Sequence, residues 1–162
     1  MPDNSVSPQP SDHQTGQEGA SHVLIEYGSY ACAPCRSAQK VISRVLKNFS
    51  GDVLYVFRHK PLTSDPWAVP SAVLAEVAAK QDRFWEAHEV LMSKAIESEK
   101  DLYAAATRCG IDDDELKAAL EDQELLERLQ KKDDQDAIEG VATIPTFYVN
   151  GILYEGPWDE MS

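Results

Sequence analysis

An α/β fold is predicted by three features: a strand–helix–strand run near the start, a hairpin signal near the end, and a long helical stretch between them. Residues 22–27 include the apolar run Val23, Leu24 and Ile25, and residues 53–57 form a second such run. Between them, Ala38, Val41, Ile42, Val45, Leu46 and Phe49 recur at helical spacing. A strand, a helix and a strand in this order imply parallel pairing through a right-handed crossover. Residues 146–149 and 152–154 flank Asn150-Gly151, the dipeptide that most favours a tight hairpin turn. A mixed sheet follows, built from a βαβ unit and a C-terminal β-hairpin and interrupted in sequence by an all-helical insertion.

The chain has 162 residues, enough for one domain with its own core. Its formal charge of −13 argues against nucleic acid or an anionic membrane as partner. No window has the length and apolarity of a transmembrane helix, and the N-terminus lacks the segments of a secretory signal. Three cysteines cannot make a disulfide framework. Together these place the protein in the reducing cytoplasm; removal of an N-terminal signal would make it extracytoplasmic instead.

Residues 1–20 are rich in Pro, Ser, Gln, Asp and Gly, a composition that cannot repay its own ordering, and are expected to be a flexible tail. Residues 21–162 are expected to form a single domain, with the sheet-bearing core in 21–60 and 141–162 and the helical insert in 61–140. Within the insert the patterns predict helices over 68–80, 84–96, 102–109 and 113–120, the last with Asp112 as N-cap and Glu115 completing a capping box. A final helix, marked by Leu125, Leu126, Leu129 and Ala137, is expected to end at Gly140. Cys109, Phe84 and Trp85 read as core, His59 and His88 as structural or surface residues, and residues 131–136 as a solvated helix face.

The first helix opens on Cys32-Ala33-Pro34-Cys35. Unpaired N–H groups and the partial positive charge of a helix N-terminus favour a thiolate there. Zinc sites and plain surface turns also use this spacing. The chain offers only Cys109 and four scattered histidines as further soft ligands, with no second pair at ligand spacing, so no metal site is expected.

The tetrad, Ile144-Pro145-Thr146-Phe147, Val149-Asn150-Gly151, residues 57–62 (FRHKPL) and residues 84–89 (FWEAHE) together resemble the DsbA-like branch of the thioredoxin superfamily, over roughly residues 22–158. That resemblance implies a thioredoxin-like core with an inserted all-helical subdomain. It further implies a thiol–disulfide oxidoreductase that needs no cofactor beyond its own redox-active disulfide. Cys32 would be the nucleophile and Cys35 the resolving thiol. Pro145 would be cis, and with Ile144, Ala33 and Pro34 it would bind an extended substrate strand. Glu26 would be a buried acid that moves the proton of the resolving thiol.

Protein or small-molecule disulfides are the implied substrates, with a redox partner to recycle the enzyme. Ala33-Pro34 places no histidine between the cysteines, which points to the reducing or isomerising direction. The rival is a non-catalytic thioredoxin-like module that docks partners at the cis-proline groove. The family usually continues past the hairpin into a helix that covers one sheet face. Here either the sequence is cut short, or that face is covered by the N-terminal tail or by a second copy in a homodimer.

Overall fold

A computed structural model describes residues 7–138, 141 and 143–156. The elements run in chain order β1 (His13–Gly16), β2 (His22–Gly28), α1 (Ala33–Asn48), β3 (Val53–His59), α2 (Ala68–Ala79), α3 (Phe84–Ser93), α4 (Glu99–Arg108), α5 (Asp113–Leu120), α6 (Gln123–Ile138), β4 (Thr146–Val149) and β5 (Ile152–Tyr154). The strands form one mixed sheet in the order β1-β3-β2-β4-β5. β2 and β3 pair in parallel across the α1 crossover, and the other three pairings are antiparallel. This is a thioredoxin-like core into which five helices, α2 to α6, are inserted between β3 and β4.

Alternation along the central strands sorts their side chains onto two faces. Leu24, Tyr55 and Phe57 join Ala38 and Ile42 of α1 and the apolar side chains of α2 to α6 in the main core. Ile25, Tyr27, Leu54 and Val56 point the other way and pack with Val141. Every residue of β3 is buried, as expected of a strand covered on both faces. α2 is Ala- and Val-rich and buried on nearly every side, which makes it the axis of the insert. Pro70 is tolerated because it lies in the first turn of α2, where its missing N–H has no intrahelical partner to lose.

The hairpin forms as the dipeptide predicts. Asn150 and Gly151 both take positive φ, 51° and 83°, the pattern of a type I′ turn. The turn is also tied to β2: Asn150 Oδ1 accepts the Val23 N–H at 2.8 Å, and Asn150 N–H donates to the Val23 carbonyl at 2.8 Å.

Two expectations are corrected. Residues 13–16 lie in the stretch read as a flexible tail, yet they form edge strand β1 against β3. Their order comes from side-chain anchors that composition does not reveal. The His13 ring stacks on Phe84 with centroids 3.7 Å apart, and Trp85 Nε1 donates to the Gln14 carbonyl. Arg58 makes a two-pronged pair with Asp12, at 3.0 and 2.8 Å. Gly16, at φ 108°, brings its backbone so close to the Val53 carbonyl that no side chain would fit. The expected capping box of α5 is also absent: Asp112 occupies the cap position but makes no side-chain bond there. Glu115 instead accepts from Gln81 Nε2 at 2.6 Å, and so ties α5 to the end of α2.

The expected end of α6 at Gly140 lies outside the described residues. Between α1 and the hairpin, Val41, Val45, Phe49, Val149 and Tyr154 line an apolar groove of about 360 Å³.

Candidate active site

The chain leaves β2 at Gly28, passes through Ser29–Ala31 and enters α1 with Cys32 as its N-cap. Cys32 has extended backbone angles (φ −91°, ψ 114°), and its Sγ accepts the backbone N–H of Cys35 at 3.2 Å. A cysteine thus stands where Ser or Asp usually caps, and its sulfur satisfies one of the free helical N–H groups. Pro34 costs nothing in this first turn. Cys32 is half-buried, Ala33 and Pro34 are exposed, and Cys35 is fully buried beneath them.

Electrostatics separate the two thiols. The Cys35 thiol and N–H both stabilise a Cys32 thiolate, as does the nearby Arg36 charge, while partial burial opposes it; the net effect brings Cys32 down to about 7. Cys35 is pushed far up by its hydrogen bond to Cys32, by burial and by the charge of Glu26. Arg36 is held in place by its bond from Nη1 to the Tyr30 carbonyl at 2.8 Å. Alkylation of the reduced protein by iodoacetamide should therefore titrate with a midpoint near pH 7, one thiol reacting fast above it. A midpoint above pH 8.5 would contradict this electrostatic arrangement.

Glu26 is wholly buried on the helix-covered face of β2. Burial raises its carboxyl to about 8, against the opposing hydrogen bond from Tyr55 and with a further push from the Cys32 charge. The Tyr55 hydroxyl donates to Oε1 at 2.5 Å, whereas Oε2 has no hydrogen-bond partner among the described residues. A side chain at position 28 would come within 2.8 Å of Oε2, so Gly28 leaves the carboxyl its room. Tyr55 is a site residue that sequence reasoning missed, because a tyrosine within an apolar strand carries no signal apart from packing.

The Ile144–Pro145 peptide bond is cis. Thr146 pairs with Tyr27 near the C-terminal end of β2, so Ile144 and Pro145 lie beyond that end, the same end from which the chain leads through residues 29–31 to Cys32. Both are half-buried, and Ile144 packs against the same core as Cys32. The fold therefore brings residues from the two ends of the sequence to one end of the sheet. His88 is buried nearby: its Nδ1 accepts from Tyr30 at 2.9 Å, its Nε2 bonds Gln39 at 3.1 Å, and burial pulls it down to about 3, so it stays neutral. Cys109 is buried in the core of the insert, as expected.

A family model described as Thioredoxin matches residues 9–162. The chain belongs to the thioredoxin family. It is 37% identical over 158 residues to a Na(+)/H(+) antiporter NhaA of Nitrosospira multiformis, covering 93% of this chain but 24% of that protein. The chain thus spans about a quarter of the length of such curated relatives. Among solved structures of this fold, Wolbachia pipientis alpha-DsbA1 superposes with a TM-score of 0.83 at 19% identity, covering 96% of this chain and 88% of that one. A periplasmic thioredoxin-like protein from Salmonella enterica serovar Typhimurium gives 0.78 at 18% identity, covering 98% and 90%.

The last comparison corrects the expected cytoplasmic location: that neighbour shares this fold and is periplasmic, so the fold and its cysteine pair give no ground for a cytoplasmic assignment. The cysteine count misled because a redox-active pair, unlike a structural framework, carries no signature of compartment. No helix among the described residues is long and apolar enough to cross a membrane.

Proposed function

We propose that this thioredoxin-family domain exchanges disulfides through Cys32 and Cys35. The observation that carries the reading is the pairing of a half-exposed, helix-capping thiol at about 7 with a buried thiol held far above the ordinary range. The Cys32 thiolate attacks one sulfur of a substrate disulfide, forming a mixed disulfide and releasing the other sulfur as a thiolate. Cys35 then loses its proton and attacks Cys32 Sγ, which frees the second substrate thiolate and leaves a Cys32–Cys35 disulfide. Glu26, the buried acid under this pair, takes the Cys35 proton; Tyr55 positions it. Ala33 and Pro34 beside Cys32, with Ile144 and Pro145 at the same end of the sheet, would offer backbone for an extended peptide to pair with, which favours protein or peptide disulfides as substrates.

Direction follows from how strongly the reduced form is favoured. Cys32 gains its low value from one neighbouring thiol, a backbone N–H and Arg36, with no imidazolium between the cysteines. The reduction potential should then lie nearer that of thioredoxin than that of DsbA, roughly −270 to −200 mV, which favours reduction or isomerisation. A titration against glutathione or dithiothreitol buffers, followed by intact mass, measures it. A two-electron couple in that interval supports the reading; a value near about −120 mV makes the domain an oxidant and contradicts the direction.

A further inference from the structure

A second cluster of ligating groups lies apart from the thiols, where β1, β3 and α2 meet. His13 on β1, His59 at the end of β3 and Glu76 on α2 bring one ligand atom each to within 4.8 Å of one another. His13 Nε2 is 2.6 Å and His59 Nε2 3.4 Å from the same oxygen, Glu76 Oε2. Both rings are held by packing: His13 is stacked on Phe84, and His59 is set edge-on to Phe57 at 5.4 Å and 89°. The three side chains share a cavity of about 340 Å³ with Asp12, Arg58, Arg128 and Lys132.

We propose that His13, His59 and Glu76 form a binding site for a divalent transition metal of the Zn²⁺ class, separate from the redox centre. Two imidazoles and a carboxylate are a ligand set that zinc uses, with water in the remaining position, and the cavity has room for that water. Two imidazole nitrogens beside a single carboxylate, the set that converges among the described residues, select this class over Ca²⁺ or Mg²⁺. The convergence of both Nε2 atoms on one oxygen is what a metal would exploit. It would replace that shared hydrogen-bonding point, and each neutral ring would then carry its proton on Nδ1.

The neighbouring cations set a limit. Arg128 approaches the other carboxylate oxygen, Oε1, at 3.6 Å and is largely exposed, so it leaves Oε2 available; Arg58 is already paired with Asp12. Their charge, with that of Lys132, weakens binding. The bound ion would join the N-terminal strand to the centre of the helical insert, and so stabilise the folded chain in proportion to its occupancy.

The test uses the chain in its Cys32–Cys35 disulfide form, so that the redox pair cannot bind the ion and Cys109 is the one thiol left, buried in the insert, with Co²⁺ as the optical probe and Zn²⁺ as competitor. One Co²⁺ per chain should bind, with the visible bands of a low-coordinate nitrogen–oxygen site and no thiolate charge-transfer absorption, and Zn²⁺ should displace it and raise Tm. His13→Gln and Glu76→Gln should each weaken binding at least tenfold, while His22→Gln, a change at an exposed histidine, should leave it unaltered. The two variants are judged only where near-UV circular dichroism matches the parent, and His13, on an edge strand, is the safer of the pair. No saturable binding by the disulfide form, or binding that survives both substitutions, would overturn the proposal.

Discussion

Replacing Cys32 by serine is expected to reduce turnover of insulin disulfides to the rate of dithiothreitol alone. A serine hydroxyl at this cap can still accept the Cys35 N–H, so α1 keeps its start and the fold survives. What disappears is the only half-exposed sulfur of the three, since Cys35 and Cys109 are buried. The lowered pKa of Cys32 explains only part of the rate. At pH 7 about half of it is thiolate, against about 3% of an ordinary thiol, but the weaker nucleophilicity of a less basic sulfur returns much of that gain, leaving about threefold. The remaining advantage must come from how the fold presents Cys32 at the start of α1 and from Cys35, whose attack on Cys32 Sγ expels the substrate thiolate before the mixed disulfide can revert. Equal rates for the parent and Cys32→Ser proteins would instead fit a module that docks partners without turning them over.

The second large effect concerns Glu26 and is read in stability. Its carboxyl binds a proton more tightly folded, at about 8, than its ordinary value of 4.5. Its contribution to stability is therefore fullest below the unfolded value and is lost as pH rises through 8, because burial disfavours the carboxylate and, among the described residues, only Tyr55 hydrogen-bonds it. Integrated over this interval, the buried carboxyl costs about 3 kcal/mol at pH 7 and about 5 kcal/mol above pH 9. Glu26→Gln removes the ionisation while keeping an oxygen for Tyr55. In the disulfide form, where the redox pair does not titrate and Cys109 is common to both proteins, urea unfolding should show the variant gaining on the parent steadily from pH 5 to pH 9. The absolute offset depends on how the buried amide is accommodated, so the slope is the readout; parallel pH profiles would contradict a raised carboxyl. The same variant should slow release of mixed disulfides by about tenfold or more, as loss of a general base does.

The core was legible in the sequence because each of its elements carries a periodic signal. β2 carries the apolar run Val23–Ile25 and β3 the run Val53–Phe57, α1 has a single apolar stripe, and Asn150-Gly151 specifies its own turn. The helices of the insert were legible for the same reason, with boundaries off by a few residues. β1 was not, since His13, Gln14, Thr15 and Gly16 have neither apolar alternation nor length; they are ordered by Phe84, Trp85 and Arg58, which are distant in sequence. Glu115 was misassigned because a capping pattern describes only local options, and Gln81 offered a tertiary one.

At the site, the sequence displayed Cys32 and Cys35 through their spacing at a helix start. Glu26 and Pro145 came only through the family resemblance, for neither a carboxyl on a strand nor a proline before one has a spacing that signals function. Tyr55 had no signal at all. The cluster of His13, His59 and Glu76 was equally hidden, because Glu76 is 63 residues from one histidine and 17 from the other, distances that no local ligand motif spans.

The central claim is that Cys32 attacks and Cys35 resolves, and trapping tests it most directly. Reduced Cys35→Ser protein, mixed with an oxidised peptide and analysed by intact mass without reductant, should carry one peptide through a disulfide at Cys32. Dithiothreitol should release that peptide, and the Cys32→Ser, Cys35→Ser double variant should carry none. A peptide attached at Cys109, or no adduct while the thiol at position 32 remains reactive to iodoacetamide, would contradict the account.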